Sequence, residues 1–318
     1  MEDRLFKYLI IDSNNLGYFI INRDIVRDLS KINNKIIYKT FVKTFFETID
    51  YLKNKYESSE VILLFDNHTS KDELRKAFTT PEGYSRKDIK NTYKGTRKKE
   101  SKEFYTSLDF IKYYYMVNKP TYHTVQVFKI EADDMVSPCL QAIVKDDTAL
   151  MVTNDSDWTR YLSDKIQYLP EIYENPRGVD YFFQRYKFVP TEDKVVLYKV
   201  LFGDKADDIS VVFPEFDTTI KNKILEDFDS IFDFILGASK KDYLKKYVSI
   251  IKDRESELKV NYQLISAIPV TQEQFLSHYT TGRDSITLIT AVNNILYGKD
   301  LGDNAFVFGG LKLPRVSP

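Results

Sequence analysis

Three stretches of this chain, KYLIID at 7–12, EVILLFD at 60–66 and ALMVTND at 149–155, hold runs of apolar residues and then stop on an aspartate. Runs apolar at every position, rather than at every second one, belong to strands buried on both faces, as in parallel sheets covered by helices. We read strands over 6–12, 60–66 and 149–155, with TVQVFK at 124–129 as a weaker fourth. Segments with helical spacing lie between them, at 39–55, 101–117 and 134–146. Strands alternating with helices predict an α/β three-layer sandwich with a mostly parallel central sheet. A further helix is expected over 192–202, and from about residue 220 the pattern becomes mostly helical. The expected organisation is an α/β core over 1–205, carrying a basic excursion at about 67–120, and a helical C-terminal region over 206–318.

Open parallel sheets bind ligands outside the carboxyl ends of their strands. Asp12, Asp66 and Asp155 each stand at such an end and should converge, with Asp157 beside them. A single strand-end aspartate is commonly a helix cap or turn residue. That all three main strands end this way argues for a second role. Two more acidic clusters follow: KIEADDM supplies Glu131, Asp133 and Asp134, and LFGDKADDIS supplies Asp204, Asp207 and Asp208. Taken singly, the first could complement a helix dipole, and the second could be a polar turn after a capping Gly203. Together these carboxylates would raise one another's pKa unless cations were present. Hard divalent ions with oxygen ligands meet that need, and Mg²⁺ is the expected one. Two such ions roughly 3.5–4 Å apart can activate water and stabilise a leaving alkoxide at a phosphodiester.

The net charge of −1 conceals a separation. Between Lys71 and Lys102 eleven Lys/Arg face five Asp/Glu, an excess of six positive charges, so the rest of the chain is acidic by about seven. A polar loop would account for RKDIKNTYKGTRKK by itself. Its interleaved Tyr84 and Tyr93, and its place between two α/β elements, point instead to phosphate binding. Composition is otherwise that of a soluble globular protein, 43% hydrophobic and 29% charged. One cysteine, Cys139, forbids an internal disulfide, and with three scattered histidines it argues against structural zinc. MEDRLFKY has acids where a signal peptide has a basic then apolar run, and no stretch reaches the roughly 20 apolar residues of a membrane span. A reducing, cytoplasmic setting without membrane contact is the expectation.

In order, LIIDSNNL, LLFDN, TYKGTR, EADDM, VTNDSDW and FGDKADDIS resemble the motifs of the 5′ nucleases of the flap-endonuclease and bacteriophage RNase H type, over residues 6–215. The resemblance implies a metal-dependent 5′-3′ exonuclease and structure-specific flap endonuclease that removes RNA primers or 5′ flaps in DNA replication. It implies two Mg²⁺ ions, with Mn²⁺ able to substitute. Residues matching Asp66, Glu131, Asp133 and Asp134 would hold the first ion, with Asp12 and Asp155 at or beside it. Those matching Asp157, Asp204 and Asp207 would hold the second. The basic segment would form an arch for a single-stranded 5′ end, with Lys94, beside Tyr93, acting in catalysis together with Asp12 and Asp155. Contacts to nucleic acid would come from Arg75, Lys76, Arg86, Lys90, Tyr93, Lys94, Arg97, Lys98 and Lys99, and in the helical region from Lys221 and Lys223. The expected partners are DNA with a 5′ single-stranded flap or an RNA–DNA hybrid, and a single-strand-binding or other replication protein. The expected state is a monomer in the cytoplasm, a host cell's if the chain is phage-encoded.

Two departures stand out. Asp208 occupies the place where the family's GDxxDN usually has asparagine, and VVFPEFDTTIKNKILEDF lacks the glycine-rich hairpin that binds a monovalent cation in many members. Three other readings compete. A haloacid-dehalogenase-type phosphatase fits the strand-end acids and GDxxxD, but needs an aspartate where Asn14 stands. A PIN-type ribonuclease acting on single-stranded RNA shares fold and chemistry, but is typically shorter and lacks the arch. A non-catalytic DNA-binding scaffold would not need the acidic set. His68, Trp158 and the run Tyr113–Tyr115 are read as turn or packing residues.

Overall fold

The computed structural model describes residues 5–22, 34–66, 102–118, 122–127 and 130–281. Strand β1 (Tyr8–Asp12) is followed by helices α1 (Ser13–Ile21) and α2 (Asn34–Lys55), then by β2 (Glu60–Leu64), α3 (Lys102–Asn118) and β3 (Tyr122–Val125). Next come a 3₁₀ turn (Asp133–Met135), the one-turn α4 (Val136–Cys139) and a π turn (Leu140–Val144), then β4 (Ala149–Val152), a 3₁₀ stretch (Ser156–Tyr161) and β5 (Ile166–Leu169). Helices α5 (Val179–Tyr186), α6 (Glu192–Phe202), α7 (Thr218–Asp227), α8 (Ile231–Gly237), α9 (Val248–Asp253), α10 (Glu255–Ile265) and α11 (Gln272–Ser277) precede β6 (Tyr279–Thr281). The strand order is β5-β4-β1-β2-β3-β6. The first five strands are parallel, and β6 is antiparallel to β3.

Period-two burial on both faces explains why the strands read as unbroken apolar runs. Leu9, Ile11, Val61, Leu63, Leu150 and Val152 point to one side, where Leu16, Phe45, Phe104 and Ile111 of α1–α3 cover them. Tyr8, Ile10, Ile62, Leu64, Ala149 and Met151 point to the other, where Met135, Trp158, Val200, Leu258 and Phe275 pack. Each such side chain contributes about 1.5–3 kcal/mol on burial, so a one-residue register slip, which swaps the faces, is strongly disfavoured. One buried cluster joins the sheet to the C-terminal helices without a break.

The expected strands end early because their last residues leave the ladder. Asp66 and Asp155 lie beyond the last paired residues, and Asp155 caps the following 3₁₀ stretch by accepting the Asp157 amide. The weak strand expected at 124–129 begins at Tyr122 and stops at Val125. Gln126 turns out of the sheet, accepting from Lys112 Nζ at 2.5 Å and donating to the Asp66 carbonyl at 2.9 Å. Helix α6 covers the expected 192–202, and the segment 134–146 is broken into three helical geometries that end at Lys145, φ +53°. Trp158 is fully buried, as packing requires, and Cys139 is a buried free thiol whose pKa burial pushes up. Among the described residues, no helix is long and apolar enough to cross a membrane.

Candidate metal centre

The order of strand addition reverses at β1: β2 and β3 build outward on one side, β4 and β5 on the other. Such a switch point opens a crevice at the carboxyl ends of the central strands. Asp12 ends β1 there. It caps α1 by accepting the Asn15 amide on Oδ1 at 3.0 Å, and its Oδ2 accepts the Thr153 hydroxyl at 3.0 Å. The same hydroxyl accepts the Asp155 amide at 3.0 Å. Asp66 is tied in from the other neighbouring strand: its amide donates to Asn14 Oδ1 at 3.1 Å and its Oδ1 accepts the Ala132 amide at 2.7 Å. Capping and convergence therefore coexist at these strand ends. Burial holds the Asp12 carboxyl well above the usual carboxylate range, with Asp66 and then Asp155 adding like-charge repulsion.

Glu131 is half-buried and Asp133 buried at the start of the 3₁₀ turn. Asp134, beside them, is buried and tied to backbone. Its Oδ1 accepts the Ile268 amide at 2.7 Å and its Oδ2 the Glu131 amide at 3.3 Å, so its carboxylate ties the C-terminal segment to the core.

A second acidic locus forms where the 3₁₀ stretch after β4 meets the end of α6. Asp157 Oδ1 pairs closely with Lys199 Nζ and lies 3.2 Å from Arg160 Nη2. Lys199 Nζ also reaches Asp204 Oδ2 at 2.7 Å and Ser156 Oγ at 2.9 Å. Burial works to lower the Lys199 pKa, but Asp157, Asp204 and, more weakly, Asp155 outweigh it and hold the ammonium above its ordinary range. The two loci thus adjoin through Asp155 and Asp157. Gly203 makes the turn into the second locus: its φ is +77°, and a Cβ would stand 2.8 Å from the Ile209 carbonyl and the Val211 amide. Asp204 and Ile209 exchange backbone hydrogen bonds at 3.0 and 2.9 Å across the turn, and Asp207 is buried inside it. Asp208 adopts the left-handed conformation, φ 59° and ψ 32°. Asparagine and aspartate are the side chains that best tolerate it, which gives Asp208 a backbone role in the place where asparagine is usual.

Arg75, Lys76, Arg86, Lys90, Tyr93, Lys94, Arg97, Lys98 and Lys99, and with them Tyr84 and His68, lie outside the described residues. Lys221 and Lys223 sit on α7, with their ammonium groups 4.9 Å from the Phe202 ring centre and 5.5 Å from that of Tyr243. Sequence reasoning missed Asn14, Thr153, Arg160 and Lys199. The first two lie inside the quoted motifs. Lys199 carried a readable signal, a lysine in the apolar run VVLYKVLF five residues before Asp204.

The donor set suits a hard divalent cation: carboxylate oxygens, one of them buried among other acids. Among the described residues no three Asp, Glu, His or Cys side chains are arranged to enclose one ion as they stand. Backbone amides, Thr153 and Lys199 engage the carboxylates instead.

Acids at the carboxyl edge of a parallel sheet suit both nucleases and phosphatases, and the family match decides for an α/β nuclease, a phosphodiesterase. The family model described as the 5′-3′ exonuclease N-terminal resolvase-like domain matches residues 7–187, more than half of the chain, and the chain belongs to that family. No curated protein matches it significantly. Solved structures agree in fold. A bacteriophage T5 protein co-crystallised with metal ions is 18% identical, with TM-score 0.61, over 91% of this chain and 98% of that one. The T5 5′-exonuclease with bound divalent zinc ions is 20% identical, with TM-score 0.60, over 91% and 98%. A T5 flap endonuclease in a pseudo-enzyme-product complex with DNA and metal ions is 19% identical, with TM-score 0.58, over 91% and 97%.

Proposed function

We propose that the protein is a divalent-metal-dependent 5′-3′ exonuclease and structure-specific endonuclease that removes 5′ flaps or RNA primers during DNA replication. The observation that carries this reading is the meeting of Asp12, Asp66 and Asp155 at the switch point of a sheet whose family is 5′-3′ exonuclease. The solved relatives bind metal ions, and one binds DNA, which supports the same chemistry here.

Asp66, Glu131, Asp133 and Asp134, with Asp12 and Asp155 beside them, would hold one Mg²⁺, and Asp157, Asp204 and Asp207 a second; Mn²⁺ should substitute. When bound, the ions supply Lewis acidity at the scissile phosphodiester and activate the attacking water. The protein's own residues do the rest. Asn14, Thr153 and the Ala132 amide fix the carboxylates of the first locus. Lys94, outside the described residues, is assigned to stabilise charge developing on the phosphate, an effect worth about 3–4 kcal/mol when preorganised. The basic segment around it contacts flanking phosphates, while Lys221 and Lys223 of the region 206–318 follow the duplex.

The test is cleavage of matched 5′-labelled DNA-flap and RNA–DNA hybrid substrates across a Mg²⁺ titration, with EDTA as control. Cleavage near the junction that EDTA abolishes is expected. Undiminished cleavage in excess EDTA would overturn the reading.

A further inference from the structure

The two acidic loci are not equivalent. Around Asp12 the strongest electrostatic neighbours are further acids, Asp66 and Asp155. The Asp157–Asp204 locus instead contains its own cation. Lys199 is only 5% exposed, and its ammonium spends its donors on Ser156, Asp157 and Asp204. Asp204 has both oxygens engaged, Oδ2 by Lys199 and Oδ1 by the Ala206 amide at 2.9 Å. Asp157 Oδ1 serves Lys199 and Arg160 together. A divalent ion approaching Asp204 Oδ2 or Asp157 Oδ1 meets the Lys199 ammonium already paired with them, and an ammonium left in place would repel it.

Building on the two-ion reading above, we propose that Lys199 is an internal counter-ion which holds the second locus in the metal-free protein and is exchanged for the divalent ion. The loci then fill in order. The first, where acids face acids, binds early and gains stability from relief of repulsion. The second binds later and more weakly, because each binding event must also displace Lys199. Until that exchange takes place, the second locus stays shaped and its acids largely compensated.

The experiment compares the wild type with Lys199→Met by Mn²⁺ titration, following bound Mn²⁺ by electron paramagnetic resonance and melting temperature in parallel. The wild type should show two classes of Mn²⁺ site. Lys199→Met should bind at the weaker class at least tenfold more tightly, melt lower without metal, and regain more of its melting temperature on Mn²⁺ addition than the wild type gains. Unchanged or weaker second-class binding would overturn the proposal and make Lys199 a plain structural support. Should the metal-free variant fail to fold, amine-directed labelling of the wild type read by mass spectrometry decides. Labelling at Lys199 should rise several-fold at saturating Mn²⁺, and no rise would overturn the exchange. A wild type that binds no Mn²⁺ would overturn the two-ion reading itself, whereas two classes that Lys199→Met leaves alone would overturn only the exchange.

Discussion

Thr153 donates its hydroxyl to Asp12 Oδ2 at 3.0 Å in a fully buried contact, and so joins the ends of the two central strands β1 and β4. Because Thr153 Oγ1 also accepts the Asp155 amide, one hydroxyl sets the spacing of two carboxylates. Thr153→Val keeps the shape and removes both bonds. Leaving a buried acceptor unsatisfied costs about 1–3 kcal/mol. The variant should melt several degrees lower and need more Mg²⁺ for half-maximal cleavage, as thermal melts and a Mg²⁺ titration of flap cleavage would record. An unchanged Mg²⁺ requirement would mean that Thr153 does not position the carboxylates.

Asp12 makes metal-free stability depend on pH in a direction opposite to the usual carboxylate. Its folded pKa lies above the ordinary 3.8, through burial and then Asp66. The protonated form is therefore favoured on folding. That contribution is fully present below the ordinary value and is lost as pH rises through the raised folded one. In EDTA, the melting-temperature difference between wild type and Asp12→Asn should shift against the wild type across that window. With saturating Mg²⁺ the wild type should instead gain stability with rising pH, since the metal selects the deprotonated acid. Parallel lines for the two proteins in EDTA would show that Asp12 is not the titrating group.

The fold was legible because strands buried on both faces cannot conceal their apolar runs, and Asp12, Asp66 and Asp155 drew notice only because three such runs end alike, each alone being a common cap or turn residue. Element ends were less legible. Gln126 lies past the ladder with its side-chain amide held at both ends, the oxygen by Lys112 and the nitrogen by the Asp66 carbonyl, contacts across 14 and 60 residues that no local pattern encodes. Strand β5 escaped notice because IQYL is four residues long and carries a glutamine at the sheet edge. Nor does EADD reveal that Asp134 accepts the Ile268 amide, 134 residues away. Lys199 was visible as a lone charge in an apolar helix, but its partners Asp157 and Ser156 lie more than forty residues back in the chain.

Gly203 carries a prediction of its own. At φ +77° an added Cβ meets the backbone of Ile209 and Val211 at 2.8 Å, and backbone cannot swing aside as a side chain can. Strain of this kind costs on the order of 3 kcal/mol. Gly203→Ala should lower the urea midpoint by a corresponding amount and displace Asp204 from Lys199, so cleavage should fall even in the fraction that remains folded. A variant with wild-type midpoint and activity would show that the turn into the second locus is pliable.

Asp155 and Asp157 stand two residues apart, yet their Asn variants should behave differently. Asp155 Oδ1 accepts the Asp157 amide at 2.9 Å, a cap that asparagine supplies about as well, and its removal relieves repulsion on Asp12. Asp155→Asn should therefore melt at or slightly above the wild-type temperature without metal. Asp157 compensates two buried cations, Lys199 and Arg160. Taking the charge from one partner of a buried pair costs about 3 kcal/mol, so Asp157→Asn should melt clearly lower without metal. If each carboxylate serves a metal locus, flap cleavage should drop by orders of magnitude in both variants, while flap binding at low salt changes little. Near-wild-type cleavage by both would return these residues to capping and pairing alone. A drop in Asp155→Asn cleavage with an unchanged melt would separate metal chemistry from folding.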